Sequence, residues 1–270
     1  MHEAITESNW SLHWRLTESA GLAIYLASYR GRRVIWEASL PYVTIEHQPP
    51  DTAVELASAD DEEDPPRTHG TFWLPLGART LSADVRHTRF RNGFEIAADF
   101  AAGPYAYTQL WRFHADGRVG AWLKIHRGGL HDAHTYHPHW RLVLDVETSG
   151  GDVFETKNEE GWERARREGW YPVGSSGALA FRQMAQDSGR AVLLEPHRLD
   201  DADVYALRYR EGDAPPLTPH GGVGEEPFPA SYPGQEPIEG DDLALWYVAH
   251  IHYRSSFPYT AGPLLRAEGY

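Results

Sequence analysis

The stretch YAYTQLWRFHADGRVGAWLKIH, residues 105–126, decides the fold. Two runs rich in aromatic and β-branched residues, Tyr105 to His114 and Arg118 to His126, flank Ala115-Asp116-Gly117. Such runs fit a pleated, half-buried surface, and the glycine takes the positive φ that a hairpin turn demands, so the segment reads as a β-hairpin. The same grammar repeats on either side. Gly21 to Ser28 and Arg33 to Ile45 form a second hairpin around Tyr29-Arg30-Gly31-Arg32. Ser11 to Leu16, Thr71 to Leu76, Phe94 to Phe100, Trp140 to Glu147, Ala178 to Met184, Ala191 to Glu195, Val204 to Tyr209 and Leu243 to Tyr253 read as further strands. Lys157 to Arg167 reads as the one helix, and Arg254 to Tyr270, with two prolines, as an irregular tail. This pattern predicts an all-β chain, a single domain over 1–270 built as a large antiparallel β-sandwich. Two loops interrupt it: an acidic one at 49–66, and a long Pro/Gly-rich one at 211–240 of the kind that wraps a surface or carries function.

Composition narrows the function. Against 25 Lys and Arg stand 39 Asp and Glu, a net charge of −14, and no basic patch offsets it, so nucleic acid is not an expected partner. No apolar run approaches the roughly 20 residues needed to cross a bilayer, and Met1 to Ser8 lacks the pattern of a signal peptide, so a cytoplasmic location is expected. Cysteine is absent, which removes disulfides, thiolate metal sites and thiol nucleophiles together. The 10 Trp and 14 Tyr raise a carbohydrate-binding sandwich as one reading. It ranks low, because Trp36, Trp111, Trp122, Trp140 and Trp246 fall inside strands and read as core packing.

The 15 histidines carry the chemistry. Most are isolated, but His137 and His139 form an H-x-H, and His250 and His252 form another on the last long strand. Residues i and i+2 of a strand share a face, so two neighbouring strands carrying such pairs bring three or four imidazoles within reach of one ion. With no thiolate and no obvious carboxylate ligand, an all-imidazole set favours copper or zinc.

Several segments, in collinear order, resemble the catalytic β-sandwich domain of the copper-containing amine oxidases. They are Gly21-Leu22, the run Arg33 to Ile45, Gly103-Pro104-Tyr105-Ala106-Tyr107 leading into Trp111 to Gly117, His137-Pro138-His139 followed by Trp140 to Val146, and Asp241 to Tyr247 followed by His252. The resemblance implies a copper site of His137, His139 and His252, with His250 as the substitute third ligand. It places Tyr105 at the position of the tyrosine that matures to topaquinone, the cofactor that oxidises primary amines with oxygen as the second substrate, and it implies a homodimer. Pro104 and Ala106 stand where the family has an asparagine and an acid, and no run between Glu46 and Leu81 matches the family's catalytic-aspartate motif. Two readings follow: a copper-dependent oxidoreductase of the amine oxidase type, and a non-catalytic metal-binding offshoot in which Tyr105 stays unmodified.

Overall fold

The computed structural model describes residues 3–17, 21–47, 71–75, 85–102, 105–126, 134–146, 152–173, 177–185, 188–197, 201–210, 236–252 and 259–270; at Tyr105 and His252 only the backbone is described. The acidic loop and most of the Pro/Gly-rich loop lie outside these residues. In chain order the strands are β1 (Glu3–Glu7), β2 (Trp10–Thr17), β3 (Gly21–Tyr29), β4 (Arg32–His47), β5 (Thr71–Pro75), β6 (Arg86–Phe90), β7 (Gly93–Ala102), β8 (Tyr105–His114), β9 (Arg118–Ile125) and β10 (His134–Leu144). Then come β11 (Asp152–Asn158), β12 (Gly161–Ala165), β13 (Gly169–Val173), β14 (Ala180–Ala185), β15 (Ala191–Glu195), β16 (Asp201–Arg208), β17 (Leu243–His252), β18 (Tyr259–Ala261) and β19 (Leu264–Glu268). No helix occurs among the described residues.

The strands form two antiparallel sheets, as the sequence predicts. A nine-stranded sheet runs β1-β2-β3-β4-β10-β17-β16-β13 with β5 beside β4. A ten-stranded sheet runs β12-β11-β14-β15-β19-β9-β8-β7-β6 with β18 beside β9. Period-two alternation explains the layering. Along β8, Tyr107, Gln109, Trp111 and Phe113 are fully buried; along β10, Tyr136, Trp140 and Leu142 are. Side chains of this kind from both sheets make one apolar core. Both predicted hairpins are present. Arg30 and Gly31 have φ of 51° and 77°, the paired positive values of a two-residue hairpin turn. Gly117, at φ 91°, lies under the Tyr29 ring, which leaves no room for a Cβ.

Polar side chains fix the two sheets against each other. Buried Gln109 of β8 accepts from the Leu22 amide of β3 at 2.8 Å and donates to the Leu22 carbonyl at 2.9 Å. The Trp111 indole donates to that same carbonyl at 2.8 Å. Nearby, Trp10 donates to the His114 carbonyl and Tyr29 to the Ala115 carbonyl, so β2 and β3 grip the β8–β9 turn. Gln183 of β14 reaches across to the Leu144 carbonyl and donates to Asp152 at 2.7 Å.

Three expectations fail. Lys157 to Arg167 is the β11–β12 hairpin instead of a helix. Asn158 Oδ1 accepts from the amides of Glu160 and Gly161, a side-chain-stabilised turn that helix propensity does not register. Trp162 is then held under Arg182, whose guanidinium lies 4.3 Å from its ring centroid. From Tyr259 onward the tail is regular instead of irregular: β19 pairs with both β15 and β9 in the middle of its sheet. Trp36, expected in the core, is 48% exposed.

Replacing Gln109 with methionine strands the buried Leu22 amide. We expect a loss of about 2–3 kcal/mol in urea unfolding. Asp152 is nearly fully buried, and that burial pushes its carboxyl up to about 6. The folded state therefore holds a proton that the unfolded chain has released, and stability falls as pH rises from about 4 to 6. Asp152→Asn should remove that slope and raise stability at pH 7 by about 2 kcal/mol, measured by denaturation across pH.

Candidate metal centre

β10 and β17 are antiparallel neighbours, with Tyr136 opposite Ile251 and His139 opposite Val248. This register sets His137 directly across from His250, a position where cross-strand side chains touch. Their Nδ1 atoms lie 2.7 Å apart, with ring centroids separated by 4.9 Å and planes at 69°. On the far side of His250, Nε2 meets Asp203 Oδ2 of β16 at 2.8 Å. A neutral His250 that donates to this carboxylate carries its proton on Nε2, and its Nδ1 lone pair then points at His137. His139, two residues along β10, is buried. Burial first, and then the nearness of the His137 and His250 rings, holds its pKa well below the ordinary histidine range. It is therefore a neutral donor at physiological pH.

The predicted set is thus brought together in part. His137, His139 and His250 share one face of the nine-stranded sheet. His252 is the last residue of β17, with its Cα opposite Thr135. Tyr105 heads β8 in the other sheet, its Cα opposite Ala102. Asp203 was missed in the sequence because the predicted strand began at Val204. The signal was there: within β16, residues 202–207 are all buried, and Asp203 is the one carboxylate among them.

The face matters. Tyr136, Trp140, Tyr247 and Ala249 of the same two strands point into the inter-sheet core. The imidazoles alternate with them and lie on the opposite side, beside a separate cluster of Tyr205, Leu207, Trp246 and Val248. They are turned away from the sheet that carries Tyr105. Topology nevertheless gathers these segments toward one end of the sandwich. Tyr107 and Tyr259 both pair with Ile125, and residues 127–133 and 253–258 connect that end of β9 and β18 to β10 and β17.

The donor chemistry fits a late first-row ion. Two bonds of about 2.0 Å at right angles span about 2.8 Å, close to the Nδ1–Nδ1 separation. Among the described residues, however, no group of three or more His, Cys, Asp or Glu side chains stands ready-made to hold a metal. Holding an ion at this pair would require a third donor to move in.

Solved structures share this architecture. A copper-containing benzylamine oxidase from Hansenula polymorpha superposes with a TM-score of 0.72 at 12% identity over 98% of this chain. An amine oxidase from Aspergillus nidulans gives 0.66 at 13% over 99%, and the lysyl oxidase of Pichia pastoris 0.63 at 12% over 99%. The fold is that of the copper amine oxidase catalytic β-sandwich. The chain spans 59%, 51% and 52% of those three proteins, respectively. No family model matches the sequence, and no curated protein matches it. On the amine oxidase sandwich, then, this chain presents its paired imidazoles outward from the inter-sheet core.

The depressed His139 pKa has a direct readout. Its ring resonance should stay at the neutral position from pH 8 to 5.5 in proton–nitrogen NMR. Because the unfolded chain gains that proton and the native state does not, this group lowers stability as pH falls below about 6.5.

Proposed function

We propose that the chain is a copper-binding protein on the amine oxidase sandwich, with His137, His139 and His250 as the imidazole donors and Tyr105 an unmodified tyrosine. The observation that carries this reading is the His137–His250 contact, an N–H···N hydrogen bond whose shared proton a metal ion would displace, leaving two imidazole lone pairs side by side. Asp203 fixes the tautomer and ring orientation of His250, the part an outer carboxylate plays behind a metal-bound imidazole. His139 stays deprotonated, so it adds a lone pair without a competing proton. Trp246, Val248 and Tyr205 form an apolar flank that limits water at the site. Copper bound there supplies a one-electron centre and a Lewis acid. An unmodified Tyr105 is supported by the outward face of the imidazoles and by Pro104 and Ala106 on either side of it.

A second reading keeps the enzyme: a copper-dependent oxidoreductase that takes a primary amine and oxygen, with topaquinone made from Tyr105. It is favoured by the convergence of β8, β10 and β17 toward one end of the sandwich.

Metal analysis and spectroscopy separate the two. Copper-loaded protein should hold one equivalent, with nitrogen hyperfine structure in its electron paramagnetic resonance spectrum. His137→Ala and His250→Ala should each abolish stoichiometric binding, while His252→Ala retains it. Asp203→Asn should weaken binding about 10–100-fold with the fold intact by circular dichroism. Neither a visible quinone band nor a phenylhydrazine adduct should appear; either one, lost in Tyr105→Phe, establishes the oxidase reading instead. Stoichiometric copper retained in both His137→Ala and His250→Ala rejects the site.

A further inference from the structure

A second feature of the nine-stranded sheet belongs to neither reading. Away from the imidazoles, a groove of about 720 Å³ opens on the sheet. Its walls include the rings of Tyr25, Trp36 and Tyr209 and the carboxylates of Glu37, Asp145 and Asp242. The strand register explains how they meet. His13 pairs with Tyr25, Tyr25 with Glu37 and Glu37 with Val143, a single row across β2, β3, β4 and β10. Two irregularities break the pleat in that row. Between Ser11 and His13 of β2 the partner strand β3 advances by an extra residue, and Leu26 there has a φ of 52°. Between Val143 and Leu144 the partner strand β4 skips from Glu37 to Ile35, which makes Trp36 the extra residue. Bulges of this kind re-aim side chains, and a left-handed β-sheet leucine is a strained arrangement that concentrates at binding sites. Leu26 and Trp36, which lie opposite each other between paired neighbours, both line the groove. Trp36 is left 48% exposed, an unusual state for so large an apolar ring.

The surroundings discriminate among ligands. Each ring already carries a guanidinium: Arg33 lies 5.5 Å from Trp36, Arg15 5.1 Å from Tyr25 and Arg141 5.3 Å from Tyr209. A cationic ligand entering this set would meet three resident cations, so an ammonium cage is disfavoured. The carboxylates are partly matched, Glu37 by Arg141 at 3.1 Å and Asp145 by Arg33 at 3.9 Å. Against an anionic ligand stand the three carboxylates themselves. A carboxylate held by one arginine keeps lone pairs for further donors. What suits an apolar ring platform edged with acceptors is a neutral molecule with an apolar face and a rim of hydroxyls.

We propose that this groove is a binding site for a neutral sugar ring, stacked by its C–H face on Trp36, with its hydroxyls donating to Glu37, Asp145 and Asp242. Saturation-transfer NMR with glucose, galactose, mannose, N-acetylglucosamine, cellobiose and maltose tests it, with benzylamine and spermidine as cationic probes. At least one sugar should show transfer concentrated on its ring C–H protons and should quench or shift tryptophan fluorescence. Trp36→Ala should weaken that sugar's binding at least 10-fold, and Trp36→Phe should restore most of it. Because Trp36 lies outside the core, both variants should melt close to the parent. No transfer from any sugar, transfer undiminished in Trp36→Ala, or saturable binding of the cations alone overturns the proposal. The copper measurements above are independent of this groove, so either reading can fail without the other.

Discussion

The fold depends on a polar contact in an apolar place. Where the two sheets face each other, the Gln109 amide closes both hydrogen bonds of the Leu22 peptide, and the Trp111 indole adds a third. A backbone donor and acceptor at the head of β3 would otherwise be buried without partners, at a cost of about 1–3 kcal/mol each. Apolar packing alone tolerates sliding of one sheet over the other; a paired amide does not. Trp10, Tyr29 and Gln183, the last through the Leu144 carbonyl, repeat the device at other points of the interface. The relative register of the sheets, and with it the alternation that decides what faces in and what faces out, is pinned by these few bonds.

That pinning divides the molecule's labour. The inward faces of β10 and β17 are spent on the core, in rings such as Trp140 and Tyr247, stacked edge to face at 5.8 Å. The outward face of the same sheet is where the chemically active groups collect, the imidazoles toward one end and the aromatic groove toward the other. Both proposed sites lie on a surface of the scaffold instead of in its interior, and likeness of fold by itself carries little information about activity. Two chains can share every strand and still differ in which side of a strand holds the donors.

The legibility of the sequence follows the same division. Strands were readable wherever aromatic or β-branched residues alternate between clear turns, as in β3, β8 and β9. The H-x-H pairs were readable because spacing alone puts i and i+2 on one face, and the cross-strand meeting of His137 with His250 follows from that spacing once β10 and β17 are neighbours. What spacing does not reveal is which face. That depends on the phase of alternation against Trp140 and Tyr247, and on the irregularity between His139 and Arg141 where β10 meets β4. Trp36 was misjudged for the same reason, since a bulged residue departs from the alternation by which its burial was inferred. The β11–β12 hairpin hides in a charged segment because its stability lies in the Asn158 turn and the Arg182–Trp162 stack, neither of which shows in local composition. The third donor to an ion at His137 and His250 depends on side chains the sequence pattern could only enumerate.

β19 sits between β15 and β9, joining two halves of the ten-stranded sheet that share no other ladder among the described residues. In chain order it follows every other described strand of both sheets. Without it, β15 presents a bare edge and β9 is covered only by short β18, and the ten-stranded sheet stays in two pieces. Nascent chains of this topology are natural clients for chaperones that shield strand edges, and a change that displaces Leu264–Glu268 strikes the keystone of the sheet.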